Sequence, residues 1–283
     1  MPLVMGAVAY DPKVVTIWDG FRRHLRRHNL DFDYVLYSHY ERQAEDLVAG
    51  RIDAAWNSPL AWIRTCRLAR AAGADVSALV MRDTDRDLRS LVLARAGAGI
   101  ENLSQLAGRT VGTGAVDSPQ ATLLPLSLLR ANDLRPGENL TVRRFDVGVG
   151  LHGDHIGGER DAARALMAGA VDAACVIDSN HLLFAREGVL TPGSTVIIGE
   201  TAPFDHCNMS IGPSADPALT ERFRELLLAM SYDDSELRPL LDLEGLKIWC
   251  PGRTTGYAAL EAAVDETAFY GEKGDVSASD YQP

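Results

Sequence analysis

The chain has 283 residues, 46% hydrophobic and 24% charged, which gives enough apolar mass for two domains of middling size. Its formal net charge of −11 opposes a nucleic-acid or anionic-membrane surface, and no stretch approaches the roughly eighteen apolar residues of a membrane span. Cys66, Cys175, Cys207 and Cys250 stand far apart without a CxxC pair, a spacing that signals neither a zinc knuckle nor a redox dithiol and fits reduced thiols.

Leu3 to Ala9 reads as a first strand, left through the turn Tyr10-Asp11-Pro12. Val14, Ile17, Trp18, Phe21 and Leu25 fall at helical spacing, so Val14 to Arg27 is predicted as an amphipathic helix with a basic solvated face. Phe32 to Tyr37 is a second strand. Next comes Glu41 to Asn57, ERQAEDLVAGRIDAAWN, and this stretch occurs twice. Its second copy is Glu159 to Asp178, 119 positions on (172 − 53), with Gly50 matching Gly169 and Asp53-Ala54-Ala55 matching Asp172-Ala173-Ala174. Each copy reads as a helix, a glycine stop and a buried strand. A unit repeated at this distance implies two α/β lobes, each around its own mostly parallel sheet with flanking helices.

After the first copy, Asn57 or Ser58 is placed to cap a helix that has Pro59 in its first turn. Ser77 to Met81 is a strand, and RDTDRDLRSLVLARA carries the chain across to the second lobe. There, Thr110 to Gly112 is a strand followed by a polar loop, Ser118-Pro119, and a helix from Ala121, so backbone N–H groups gather at a helix N-terminus. Gly148 to Gly158 is a glycine-rich loop before the second copy. Val196 to Gly199 is a strand, Glu200 to Asn208 returns to the first lobe, and PALTERFRELLLAM forms a closing helix. The polar stretch after Tyr270 is expected to be loose. The division is therefore 1–88 with 203–283 as lobe one and 89–202 as lobe two, inserted between two hinge crossings.

With VLYSHYERQAEDLVAGRIDAAWNSPLAW, LRSLVLARAGAGIENLSQLAGRTVG, RDAARALMAGAVDAACVID and DPALTERFRELLLAM in this order, the chain resembles the type 2 periplasmic-binding-protein fold. It is most similar to the phosphate/phosphonate-binding branch, over nearly its whole length. The resemblance implies binding of a small polar metabolite, anionic or zwitterionic, in a cleft between the lobes, and a transporter or pathway partner. It places ligand contacts at Tyr10, Tyr37, Ser38, Asn57, Ser58, Asp117, Ser118, Arg160 and Asp178. In the serine/threonine-rich cradle only Ser118 keeps a hydroxyl, and Asp117 puts a carboxylate where an anion would bind, which opposes a phosphonate by repulsion. Arg160 stands at a family histidine and offers a guanidinium to an anion.

A second chemistry sits beside this one. His152, His155, Glu159 and His206 are candidate ligands for a zinc-like divalent metal, with hydrogen bonding within loops as the plainer role. His155 and Cys207 are candidate catalytic residues, Cys207 as a nucleophile, and the alternative function is a cytosolic enzyme recruited from this fold. His206 is expected to point away from Cys207, as neighbours on a strand do. Trp56 and Trp62 bracket the Asn57–Pro59 turn, either packing the core or walling a ligand. The N-terminus shows no charged leader or cleavage site, so a cytoplasmic location is expected, and a periplasmic or extracellular one if a leader is removed. No nucleic-acid partner or membrane insertion is expected.

Overall fold

The computed structural model describes residues 2–283. Two sheets, each covered by helices, hold the strands. In the first, β1 (Leu3–Val8), β2 (Phe32–Tyr37) and β3 (Ala54–Asn57) run parallel, with β1 between the other two. β4 (Ser77–Arg82) follows, and the sheet is completed by strands from late in the chain, which give it antiparallel pairs. The second sheet takes β5 (Ser90–Arg95), β6 (Thr110–Thr113), β7 (Thr141–Arg144), β8 (Ala173–Ile177) and β9 (Thr195–Glu200), in the order β7-β6-β8-β5-β9. β10 (Asn208–Ile211) and β11 (Trp249–Pro251) return to the first sheet, ordered β11-β4-β10-β3-β1-β2.

Amphipathic helix α1 (Lys13–Arg27) explains why the first sheet has one large core. Its Val14, Ile17, Trp18, Phe21 and Leu25 are buried against Phe32, Trp56, Phe223 and Trp249. In the second lobe β5 and β8 are covered on both faces. Val92, Ala94 and Cys175 face one apolar cluster while Leu91, Leu93 and Val176 face the other, so these strands read as continuous apolar runs. Burial pushes the Cys175 thiol up to about 12, which leaves it inert.

The repeat is structural. α2 (Tyr40–Val48) leads through Gly50 (φ 68°) to β3, and a later helix, Gly157–Met167, leads through Gly169 (φ 74°) to β8. In both copies the matched aspartate clamps the start of the adjacent parallel strand. Asp53 Oδ2 accepts the Val4 N–H at 2.8 Å, and Asp172 Oδ2 accepts the Thr110 N–H at 2.9 Å. α3 (Pro59–Ala72) starts as predicted, with Ser58 accepting the Ala61 N–H and Pro59 at its first position. In lobe two the matching entry is a π-helical turn, Pro119–Leu123, capped by Ser118 and continued by α4 (Leu124–Ala131).

Two strand-like segments cross between the lobes and bond to each other, with Leu88 and Phe204 exchanging N–H···O bonds at 2.9 and 2.8 Å. α5 (Gly157–Met167), α6 (Asp178–Arg186), α7 (Pro217–Leu228), α8 (Arg238–Glu244) and α9 (Ala258–Thr267) complete the helices. The stretch after Tyr270 is not loose. Tyr281 is 2% exposed and packs with Phe269, Leu260, Val116 and Ile63, so the tail fastens α3 of one lobe to the α4 entry of the other. Among the described residues no helix is long and apolar enough to cross a membrane.

Candidate functional site

The N-termini of α3 and of the Pro119 turn approach each other between the lobes, and one side chain stands between them. His152 is fully buried. Its Nδ1 lies 2.8 Å from Ser58 Oγ, its Nε2 lies 3.0 Å from Glu41 Oε1, and its ring stacks on Tyr40 at 4.8 Å. Its backbone N–H donates to Asp117 Oδ2 at 3.0 Å, and Gly150 donates to the same oxygen at 2.8 Å. The loop that delivers it turns through left-handed Gly148, Gly150 and Gly153, and His152 itself has φ 49°. A histidine there is uncommon and held by its surroundings.

The pocket that receives His152 belongs to lobe one and the tail. Glu41 Oε1 accepts hydrogen bonds from Tyr270 at 2.8 Å and Tyr281 at 2.7 Å besides its contact with the imidazole. Burial pushes the Glu41 carboxyl up, but the imidazole and these donors outweigh it and hold it at about 2. Asp117 is raised by burial despite the loop N–H groups, and its Oδ1 is buried without a partner.

The same loop makes a second contact across the lobes. Asp154 Oδ1 is 3.8 Å from Cys207 Sγ, and burial pushes its carboxyl up to about 6 against the pull of His206. Tyr10, half-buried, has its phenol raised by burial and by the nearby Asp154 and Glu244 carboxylates. Glu244 is itself pushed up to about 7 by burial. Arg82 is stacked over Trp56 at 5.2 Å and grips Asp85 from Nε and Nη2 at 2.6 and 2.8 Å.

The expected ligand contacts divide. Ser58 meets the His152 ring and Asp117 its backbone N–H, Tyr10 lies near Asp154, and Ser118 caps its own turn by accepting the Ala121 N–H. Tyr37 does not offer its phenol, which donates to Asp46 at 2.9 Å, and Ser38 is exposed. Asn57 is consumed inside lobe one, accepting from Gln43 and donating to Thr65 and Ser210. Arg160 is no anion site, because Glu187 takes its Nε and Nη2, both at 2.9 Å. Asp178 accepts the Arg89 and Ser179 N–H groups at the start of α6. Trp56 and Trp62 are core residues, 6% and 5% exposed.

The expected metal set does not assemble. His152 is held by Ser58 and Glu41. Nδ1 of His155 accepts the Gly157 N–H at 3.1 Å, and Glu159 reaches Ile177 and Gln120. His206 also departs from expectation. Residues 206–207 precede β10 rather than lie in it, so strand alternation does not apply, and His206 Nδ1 comes within 3.1 Å of Cys207 Sγ. As a nucleophile Cys207 is poorly placed: it is 1% exposed, and burial with the Asp154 and Asp85 carboxylates raises its thiol far above the ordinary value. Sequence reasoning missed Glu41, Tyr270 and Tyr281, whose link to His152 spans more than a hundred residues and leaves no local pattern.

Three cavities of about 940, 840 and 520 Å³ open elsewhere on the surface, and none is lined by Tyr10, Ser58, Asp117 or His152. The 148–158 loop bridges the lobes, with His152 against Ser58 and Glu41 and Asp154 against Cys207.

A family profile described as ABC transporter, phosphonate, periplasmic substrate-binding protein matches residues 6–261. PhnD1 from Prochlorococcus marinus, solved with methylphosphonate, superposes with a TM-score of 0.68 at 13% identity, covering 93% of this chain and 97% of that one. A Xanthomonas citri protein solved with ATP gives 0.69 at 20% identity, with the same coverage. The binding protein component of an ABC phosphonate transporter from Pseudomonas aeruginosa gives 0.61 at 13% identity, covering 96% of this chain and 92% of that one. At these identities the likeness is one of fold: the two-lobed type 2 periplasmic-binding-protein architecture.

Proposed function

The chain belongs to the family of phosphonate-type periplasmic substrate-binding proteins of ABC transporters, and from that premise we propose that it captures a small zwitterion between its lobes. The observation that carries this reading is the charge left at the cleft. Arg160, the one guanidinium expected to meet an anion, is spent on Glu187, while Asp117 stands buried with an unpaired oxygen at the cradle. A bare phosphonate or sulfonate would meet Asp117 with like charge, whereas a ligand that also carries an ammonium group gives that carboxylate a partner. The anionic end has the N-terminus of α3 or of the Pro119 turn, where Ser58 and Ser118 now supply the caps.

Binding on this account displaces His152, so the 148–158 loop acts as a lid and the hinge segments around Leu88 and Phe204 absorb the movement. The partner is the membrane component of a transporter, as the family description implies, and the same description favours the periplasmic of the locations left open by the sequence. The enzyme alternative draws no support from the geometry, because His152, His155, His206 and Cys207 do not converge on one point.

A thermal-shift series with methylphosphonate, an alkanesulfonate and an aminoalkylphosphonate tests the reading. The aminoalkylphosphonate raises Tm by several degrees and the two plain anions raise it less. Equal or larger shifts with the plain anions would overturn the zwitterion assignment, and no shift with any would overturn ligand capture of this class.

A further inference from the structure

Three potential metal donors from two separate segments meet at the hinge, Asp85 leaving lobe one and His206 and Cys207 returning to it, and Asp154 of the lid touches the last of them. Asp85, His206 and Cys207 have donor atoms all within 4.8 Å of one another, the one such group of three among the described residues. His206 Nδ1 lies 3.1 Å from Cys207 Sγ and 3.6 Å from Asp85 Oδ1, and Asp154 Oδ1 lies 3.8 Å from Cys207 Sγ. Around a four-coordinate zinc with bonds of about 2.0–2.3 Å, donors stand roughly 3.3–3.8 Å apart. From this juxtaposition the geometry points to a divalent-metal site of the zinc class, formed by Asp85, His206 and Cys207, which Asp154, already against Cys207, completes from the lid and so ties the lid to lobe one.

The donor types select the ion. A thiolate and an imidazole suit zinc, cobalt or a similar borderline ion over magnesium or calcium, which take oxygen ligands. Coordination converts the Cys207 thiol to thiolate, with its proton leaving to solvent. Arg82 is compatible with this arrangement. It donates once to each Asp85 oxygen, at 2.6 and 2.8 Å, leaving each with a further lone pair, and it orients the carboxylate as outer hydrogen bonds orient metal ligands. The backbone is already set, since the His206 N–H donates to the Asp85 carbonyl at 2.8 Å and Tyr257 donates to the His206 carbonyl at 2.9 Å. Asp154 alone comes from lobe two, so the ion would couple to lid position independently of which organic ligand the cleft takes.

The test is titration of the metal-stripped full-length protein with cobalt(II) and then zinc, with no organic ligand present. One cobalt per chain is expected, with an intense near-ultraviolet thiolate-to-cobalt absorption that zinc displaces. Cys207→Ser abolishes that absorption, and Asp154→Asn weakens binding about tenfold while the band persists. A wild-type protein that takes up no cobalt, or shows no thiolate band, overturns the site, as does a band that survives Cys207→Ser. Asp154→Asn binding as tightly as wild type overturns the coupling to the lid. The wild-type spectrum decides the first question even if Cys207→Ser fails to fold, and failure here leaves zwitterion capture standing.

Discussion

His152 ties the lobe-two loop to Ser58, Glu41 and Tyr40 of lobe one. It is buried, stacked, and shared between Ser58 and Glu41, so its removal leaves a carboxylate short of a partner as well as a void. His152→Ala should therefore destabilise the chain by about 2 kcal/mol, read as a lower urea midpoint at unchanged slope. Glu41 gives a pH signature. Its folded pKa of about 2 lies below the ordinary 4.5, so its stabilisation is fully present above pH 4.5 and is lost as pH falls from 4.5 towards 2. Wild type should lose stability steeply through that window, and Glu41→Gln should lose it less steeply. Parallel curves would contradict the assignment. These partners also show where sequence reading stops. Ser58 was legible because a cap and its helix are neighbours, whereas Asn57 meets Ser210 from 153 positions away and Arg160 meets Glu187 across two elements. Which polar group a side chain finds is decided by tertiary packing, and the family resemblance left both open to ligand roles.

At the scale of elements the repeat was the most legible feature, because its glycine and aspartate each answer a local demand. Gly50 and Gly169 both end a helix in the left-handed region, where any other residue is strained by about 1 kcal/mol. Their surroundings differ. A Cβ on Gly50 would stand 2.5 Å from Ser214 Oγ, while one on Gly169 would meet nothing nearer than Arg95 at 3.6 Å. Gly50→Ala should consequently cost more than Gly169→Ala in thermal or urea unfolding; the reverse order would contradict the packing described. Asp53 and Asp172 act alike in the two lobes, each accepting an N–H at the start of a neighbouring strand, that of the second residue of β1 and of the first residue of β6. The 148–158 loop was legible as a glycine-rich segment beside the cleft, but composition did not show that its His152 would fill a pocket between Ser58 and Glu41. Nor did it show that His206 and Cys207 would fall outside the strand and turn towards each other.

For the whole molecule, the two crossings and the tail decide how the lobes can move. Residues after Tyr270 look polar in sequence, yet Phe269, Tyr270 and Tyr281 form an apolar seam between α3 and the α4 entry, with both phenols on Glu41. Tyr281→Ala should loosen this seam, and hydrogen exchange would then show faster opening of the 148–158 loop together with the tail. Exchange confined to the tail would mean that the seam does not brace the lid. The central claim is capture of a small zwitterion between the lobes, and isothermal titration of the wild-type protein with an aminoalkylphosphonate and with methylphosphonate tests it most directly. One site per chain, binding the aminoalkylphosphonate at least about tenfold tighter, or about 1.4 kcal/mol, is the predicted result. Equal or tighter binding of methylphosphonate, or no heat with either ligand, would contradict it.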